Sequence, residues 1–169
     1  KDSMSGTFEN IDVPPTLVSF AVTTDNVKNI ISPEFKGANH KVVWLKPEYD
    51  ENGLPVTESL KKNFDIVHDL VVNKAVVAAY TPVFGGVAEG VMKMSFGNDI
   101  GFKFDEKITL DDIFGYSYAS FILELDSDID LGITLGYTTD ATEITYKNEA
   151  VSIGELLTIY EGKLEPIFS

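Results

Sequence analysis

Ala75-Val76-Val77-Ala78-Ala79-Tyr80-Thr81-Pro82-Val83-Phe84-Gly85-Gly86-Val87-Ala88-Glu89-Gly90 decides the architecture of this chain. Ala75 to Val83 is an almost unbroken apolar run, short enough to be a strand and apolar enough to be covered on both faces. Gly85-Gly86 makes a turn, Val87 to Phe96 reads as a helix, and Gly97-Asn98 reads as its left-handed cap. A buried strand that feeds a glycine turn and then a helix belongs to a layered protein, with helices laid over a sheet. The same turn gathers backbone N–H groups and the positive end of a helix dipole at one point. Such a point can hold a phosphate, and it can equally be a plain tight turn.

Upstream of this unit, Thr57 to Val72 carries Leu60, Phe64, Val67 and Val71 at spacings of three and four, the stripe of an amphipathic helix closed by Asn73 or Lys74. Pro47 to Pro55 is a polar loop rich in turn formers. Lys41 to Leu45 is a short apolar strand, and a helical turn at Asn26 to Ile31 is stopped by Ser32-Pro33. Thr16 to Val22 reads as a strand, kept extended by Pro14-Pro15 in front of it. Downstream, Ile100 to Phe104, Ser120 to Leu125, Gly132 to Thr138 and Glu143 to Tyr146 read as strands. Thr109 with Asp112, and Ser152 with Glu155, have the spacing of helix-starting capping boxes, the second leading a helix with Leu156, Leu157, Ile159 and Tyr160 on its apolar face. No internal repeat or linker interrupts the pattern. The expected fold is α+β: one layered domain over residues 1–169, a mixed β-sheet flanked by helices.

Composition limits what such a domain does. Its 169 residues are 44% hydrophobic, enough for a real core. The net charge of -14 with no arginine repels nucleic-acid backbones and removes the usual bidentate clamp for phosphate. Without cysteine the chain has no disulfide, thiolate metal site or cysteine nucleophile. No apolar stretch is long enough to cross a bilayer and no leader stands at the N-terminus, so the expected setting is cytoplasmic.

Side chains that carry chemistry are sparse. His40 lies in the turn Gly37-Ala38-Asn39-His40, and His68 flanks the core side of the Thr57–Val72 helix; neither matches a metal-binding motif, and both read as structural or incidental. There is no Gly-x-Ser-x-Gly elbow, no phosphate-binding Gly-Lys-Ser/Thr loop and no Gly-x-Gly-x-x-Gly. Asp111-Asp112 and Asp126-Ser127-Asp128-Ile129-Asp130 are acidic enough for a hard cation. The second run lacks the glycine and closing glutamate of a calcium loop and reads as a solvated turn between strands. The expected catalytic and metal-ligating residues of the chain are therefore none.

The opening Lys1-Asp2-Ser3-Met4-Ser5 lacks a start methionine and reads as the continuation of something larger. Together with Pro14 to Val22, Ile31-Ser32-Pro33, Gly85 to Phe102 and the closing Leu164-Glu165-Pro166-Ile167-Phe168, in that order, it resembles the large phosphoribosylformylglycinamidine synthases of purine biosynthesis. The resemblance covers essentially the whole chain. It implies the C-terminal domain of the second aminoimidazole-ribonucleotide-synthase-like (PurM C-terminal-domain-like) unit, with residues 1–13 leading in from the preceding domain and a glutaminase domain to follow. The parent is an ATP-dependent ligase that makes formylglycinamidine ribonucleotide from formylglycinamide ribonucleotide with ammonia from glutamine. It uses ATP or ADP with magnesium, and its other domains are the implied partners.

At the glycine turn the family commonly reads His-Asp-x-Ser-Asp-Gly-Gly, and its second aspartate helps hold magnesium at an auxiliary nucleotide site. Here the same places are Tyr80-Thr81-Pro82-Val83-Phe84-Gly85-Gly86, so phenylalanine stands where oxygen is needed. Loop 47–55 also lacks the Ser/Gly/His character of the family's phosphate-contacting loop. The resemblance thus implies a structural, catalytically degenerate domain, inactive in isolation and without a cofactor of its own, that associates through its sheet. One alternative is an auxiliary ADP site retained through Lys1, Ser3, Gly85 and Gly86. Another is a free-standing ligand-binding or interaction module.

Overall fold

The computed structural model describes residues 2–163 and 166, with side chains from Ser5 onward, and it divides into two units, residues 1–30 and 31–169. Lys1 lies outside the described residues, as do Leu164, Glu165, Ile167 and Phe168 of the closing motif.

In the first unit, β1 (Asp2–Phe8) and β2 (Ile11–Val18) pair antiparallel. The strand expected over Thr16 to Val22 therefore ends four residues earlier and begins before the two prolines. The ladder explains how Pro14-Pro15 can stand inside it. Pairing jumps from Met4↔Thr16 to Gly6↔Val13, so the prolines fall in the bulge, where no ladder N–H is demanded of them. Phe8 faces Ile11 across the ribbon, Gly6 faces Val13, and Thr7 hydrogen-bonds Asp12 on the alternate positions. Phe8, Ile11, Val13, Leu17 and Val18 are all exposed. A Val27–Asn29 3₁₀ turn, capped by the Asn26 side chain, lies near the end of this unit.

The second unit is a seven-stranded mixed sheet. Its strands are β3 (Lys41–Leu45), β4 (Val76–Tyr80), β5 (Gly101–Phe104), β6 (Phe121–Leu125), β7 (Ile133–Thr139), β8 (Glu143–Tyr146) and β9 (Glu149–Ser152), in the order β4-β6-β3-β7-β5-β8-β9. All pairings are antiparallel except β5 with β8. One face packs Val43, Leu45, Val76, Leu123 and Leu125 against α1 (Thr57–Val72). The other packs Val42, Trp44, Ala78, Ile122, Leu135, Phe102 and Phe104 beneath α2 (Gly86–Phe96) and α3 (Leu110–Phe114). Here α4 (Ile153–Gly162) leans on α2 and β9. This is the α+β arrangement expected, and β4 is covered on both faces although it is the edge of the sheet.

Several details differ for physical reasons. The α1 residues packed on the sheet are Ile66, Val67, Leu70 and Val71, so Val67 and Val71 of the expected stripe hold while Ile66 and Leu70 stand in for Leu60 and Phe64; Phe64 is half exposed, edge-on to Phe121, and His68 faces solvent rather than the core. Gly97 keeps helical φ, and the left-handed residue beyond α2 is Asp99. Thr109 and Asp112 form the expected capping box, whereas Ser152 makes no side-chain cap; the Ile153 N–H there goes to the carbonyl of Thr142. Strand β9 was not expected. It returns from β8 through a two-residue turn, Lys147-Asn148, whose Lys147 takes the positive φ that Asn-Gly more often supplies.

Candidate functional site

Gly85 stands at the N-cap of α2 and has no side chain to cap it. Glu89, one turn on, bends back instead. Its Oε2 accepts the N–H of Gly85 at 2.8 Å, and its Oε1 accepts from Lys93 Nζ at 2.6 Å. The Lys93 hydrogen bond is the main force holding the Glu89 carboxyl below its ordinary value; partial burial opposes it and the Gly85 N–H adds to it. The same bond raises the Lys93 ammonium. The pair is charged at neutral pH, so a carboxylate of the chain itself already sits at the positive end of α2.

Gly86 is fixed by packing. Its φ is +65°, and a Cβ there would lie 2.8 Å from the carbonyl oxygen of Gly115 and 3.1 Å from that of Ile113. The end of α3 rests on this turn, and only glycine lets the two backbones approach. Phe84, just before it, is 94% exposed. Tyr80 points inward, within reach of Gly90 on α2. The residues of this turn do not fit a magnesium ion: Phe84 offers no oxygen, and the nearest carboxylate is engaged by Gly85 and Lys93.

Of the residues expected to contact a nucleotide, Gly85 and Gly86 stand together at the start of α2. Ser3 pairs with Leu17 in the ribbon of the first unit, where only its backbone is described, and Lys1 lies outside the described residues. The Asp112 carboxylate of the acidic pair is spent on Thr109, whose hydroxyl, ahead of its N–H, lowers the Asp112 carboxyl from its ordinary value.

The second polar centre lies elsewhere on the same face of the sheet and was missed in the sequence. Glu124, near the end of β6, is fully buried. Its carboxylate accepts the N–H of Lys36 at 2.8 Å, the N–H of Gly37 at 3.2 Å and Nδ1 of His40 at 2.7 Å. Segment 31–40 is thereby fastened over the sheet. Phe35 completes the fastening: it stacks on Phe102, gives its N–H to Met94 O and takes Asn98 Nδ2 on its carbonyl. His40 is thus a structural histidine with a defined partner and not an incidental one. A sequence reader had one signal, a lone glutamate inside the apolar strand Phe-Ile-Leu-Glu-Leu, which must find donors if the strand is buried.

No protein-family model matches the sequence. The structure is similar to T. maritima PurL complexed with FGAR, at 10% identity and a TM-score of 0.60, over 77% of this chain and 30% of that one. It is similar to PurLQS from Thermotoga maritima at 9% identity and a TM-score of 0.63, over 76% and 28%. It is also similar to phosphoribosylformylglycinamidine synthase II from Thermotoga maritima at 10% identity and a TM-score of 0.58, over 75% and 27%. The chain spans less than a third of the length of these proteins. Its mixed sheet with flanking helices is the fold of part of phosphoribosylformylglycinamidine synthase, the family that the sequence resembles.

Proposed function

We propose that the chain is a structural domain of a purine-biosynthetic phosphoribosylformylglycinamidine synthase: the C-terminal domain of its second aminoimidazole-ribonucleotide-synthase-like unit, with its nucleotide chemistry lost. The parent ligase would use ATP and magnesium in the cytoplasm; this domain would contribute scaffold. The observation that carries the reading is Glu89. A phosphate at the α2 N-terminus would have to displace a carboxylate already bonded to Gly85 and paired with Lys93. It would also have to do so beside Phe84 and without an arginine.

Calorimetry with magnesium and ADP tests this on the whole chain. No binding in the low micromolar range, which corresponds to about -8 kcal/mol, is expected, and Phe84→Asp should not create it. Low-micromolar binding that Gly85→Ala abolishes would instead favour an auxiliary ADP site.

The ribbon of the first unit supports association as the domain's task. Two strands alone are marginal in water, and Phe8, Ile11 and Val13 expose one apolar face between two edges that no other described strand pairs. In the proposed parent, neighbouring domains would cover this face; in the isolated chain a second copy would. Sedimentation is expected to show self-association that strengthens with salt, because salt screens the repulsion between chains of net charge -14. A monomer at high concentration in both low and high salt would remove the ribbon as an interface.

A further inference from the structure

His40 and the acidic run 126–130 are dismissed one at a time in the sequence, and the fold brings them together. His40 and the first three residues of that run, Asp126 to Asp128, line one cavity of about 300 Å³. His40 is held there by a carboxylate that is itself fully buried. With Glu124 accepting at Nδ1, that nitrogen carries the ring proton, and Nε2 is left with a lone pair directed away from Glu124. A histidine whose one ring nitrogen donates to a buried carboxylate, and whose other nitrogen is free, has the arrangement of a metal-ligating imidazole, its ring oriented from behind.

The geometry points to a binding site for a divalent first-row transition cation of the zinc, nickel or copper type, with His40 Nε2 and the Asp126 carboxylate as its two protein donors and water completing its shell. Nε2 lies 3.9 Å from Asp126 Oδ1, too far for a hydrogen bond. An ion about 2.0–2.1 Å from each donor needs them roughly 3.3 Å apart at a tetrahedral angle. Asp126 is 63% exposed and can make that movement. Asp128 is less free, since Lys41 Nζ holds its Oδ1 at 3.0 Å. That lysine also keeps one positive charge in the cavity. Among the described residues no three such side chains form a ready-made cage, so the site is exchangeable, not structural. An imidazole donor selects a transition cation over magnesium or calcium. Nothing in this inference depends on the proposed role in purine synthesis.

The chain carries its own control. His68 also has a carboxylate neighbour, Asp69 Oδ1 at 3.5 Å from Nδ1, but both are exposed and nothing buried orients the ring. The experiment is a titration of the full chain with zinc and, separately, nickel, followed by the ring-nitrogen resonances of the two histidines. His40 is expected to load at a metal concentration at least about tenfold below that for His68, the scale on which partners behind a ligand act. Asp126→Asn, an exposed substitution, is expected to weaken loading of His40 by about tenfold and leave His68 unchanged. Equal loading of the two histidines, loading of His40 indifferent to Asp126→Asn, or no loading of His40 at all would each overturn the site.

Discussion

Glu124→Ala is expected to cost about 3–5 kcal/mol, the scale for removing one partner of a buried charged cluster. Three part-buried N–H donors, on Lys36, Gly37 and His40, lose their acceptor at once; an unpaired donor costs about 1–3 kcal/mol where it is fully buried and less where water reaches it. Against a typical domain stability of about 5–15 kcal/mol, this is a third or more of the total. The damage should be local in origin: segment 31–40 leaves the sheet first, because Phe35 and its bonds to α2 and Asn98 lose their neighbour anchor. Urea unfolding measures the cost, and amide exchange at Lys36 and Gly37 locates it. Glu124→Gln keeps the volume and one carbonyl acceptor and should cost clearly less. If alanine and glutamine cost the same small amount, the carboxylate is not what holds the segment down.

Gly136→Ala is expected to cost about 3 kcal/mol or more, for a backbone reason. Strand β7 carries a bulge: Gly136 pairs with Val42, but Thr134 pairs with the next residue, Val43, so Leu135 has no opposite number on β3. Leu135 is fully buried there, and its carbonyl is turned to the N–H of Asp105. Gly136 closes the bulge at φ +153°, a region L-residues avoid at about 1–3 kcal/mol, and a Cβ would collide with the carbonyl of Lys103 on β5. That carbonyl belongs to the middle of the sheet and has nowhere to go. Gly6→Ala, where nothing lies within 4 Å, is the control and should change stability by no more than about 0.5 kcal/mol. Thermal unfolding of the two variants separates them; equal effects would mean that the bulge yields.

The contrast between α1 and the ribbon shows what a sequence can carry. α1 runs over Thr57–Val72 as read, since one apolar stripe every three to four residues is a local pattern that a helix alone satisfies. The Thr109–Asp112 box was legible for the same reason, its two partners lying three residues apart. The strand-turn-helix of Ala75 to Phe96 was legible, and with it the layered α+β class. β1 and β9 were not: their strings, Asp-Ser-Met-Ser-Gly-Thr-Phe and Glu-Ala-Val-Ser, have no apolar run, and they are strands only because a neighbour supplies the ladder.

The functional surfaces divide along the same line. That Phe84 offers no oxygen to a hard cation could be read from its residue type alone. That Glu89 fills the α2 N-terminus needed its side-chain direction, and that Gly86 answers to α3 needed the close approach of two backbones. His40 and Glu124 are 84 residues apart and meet through the pairing of β3 with β6 and the path of segment 31–40. The sequence by itself determined the main helices, the central strands and the fold class, because those follow from local periodicity, turn chemistry and residue type. Strand order, the single parallel pair and the meeting of His40 with Glu124 and Asp126 were decided only by tertiary structure. Burial and long-range pairing choose among many arrangements that the same local pattern allows.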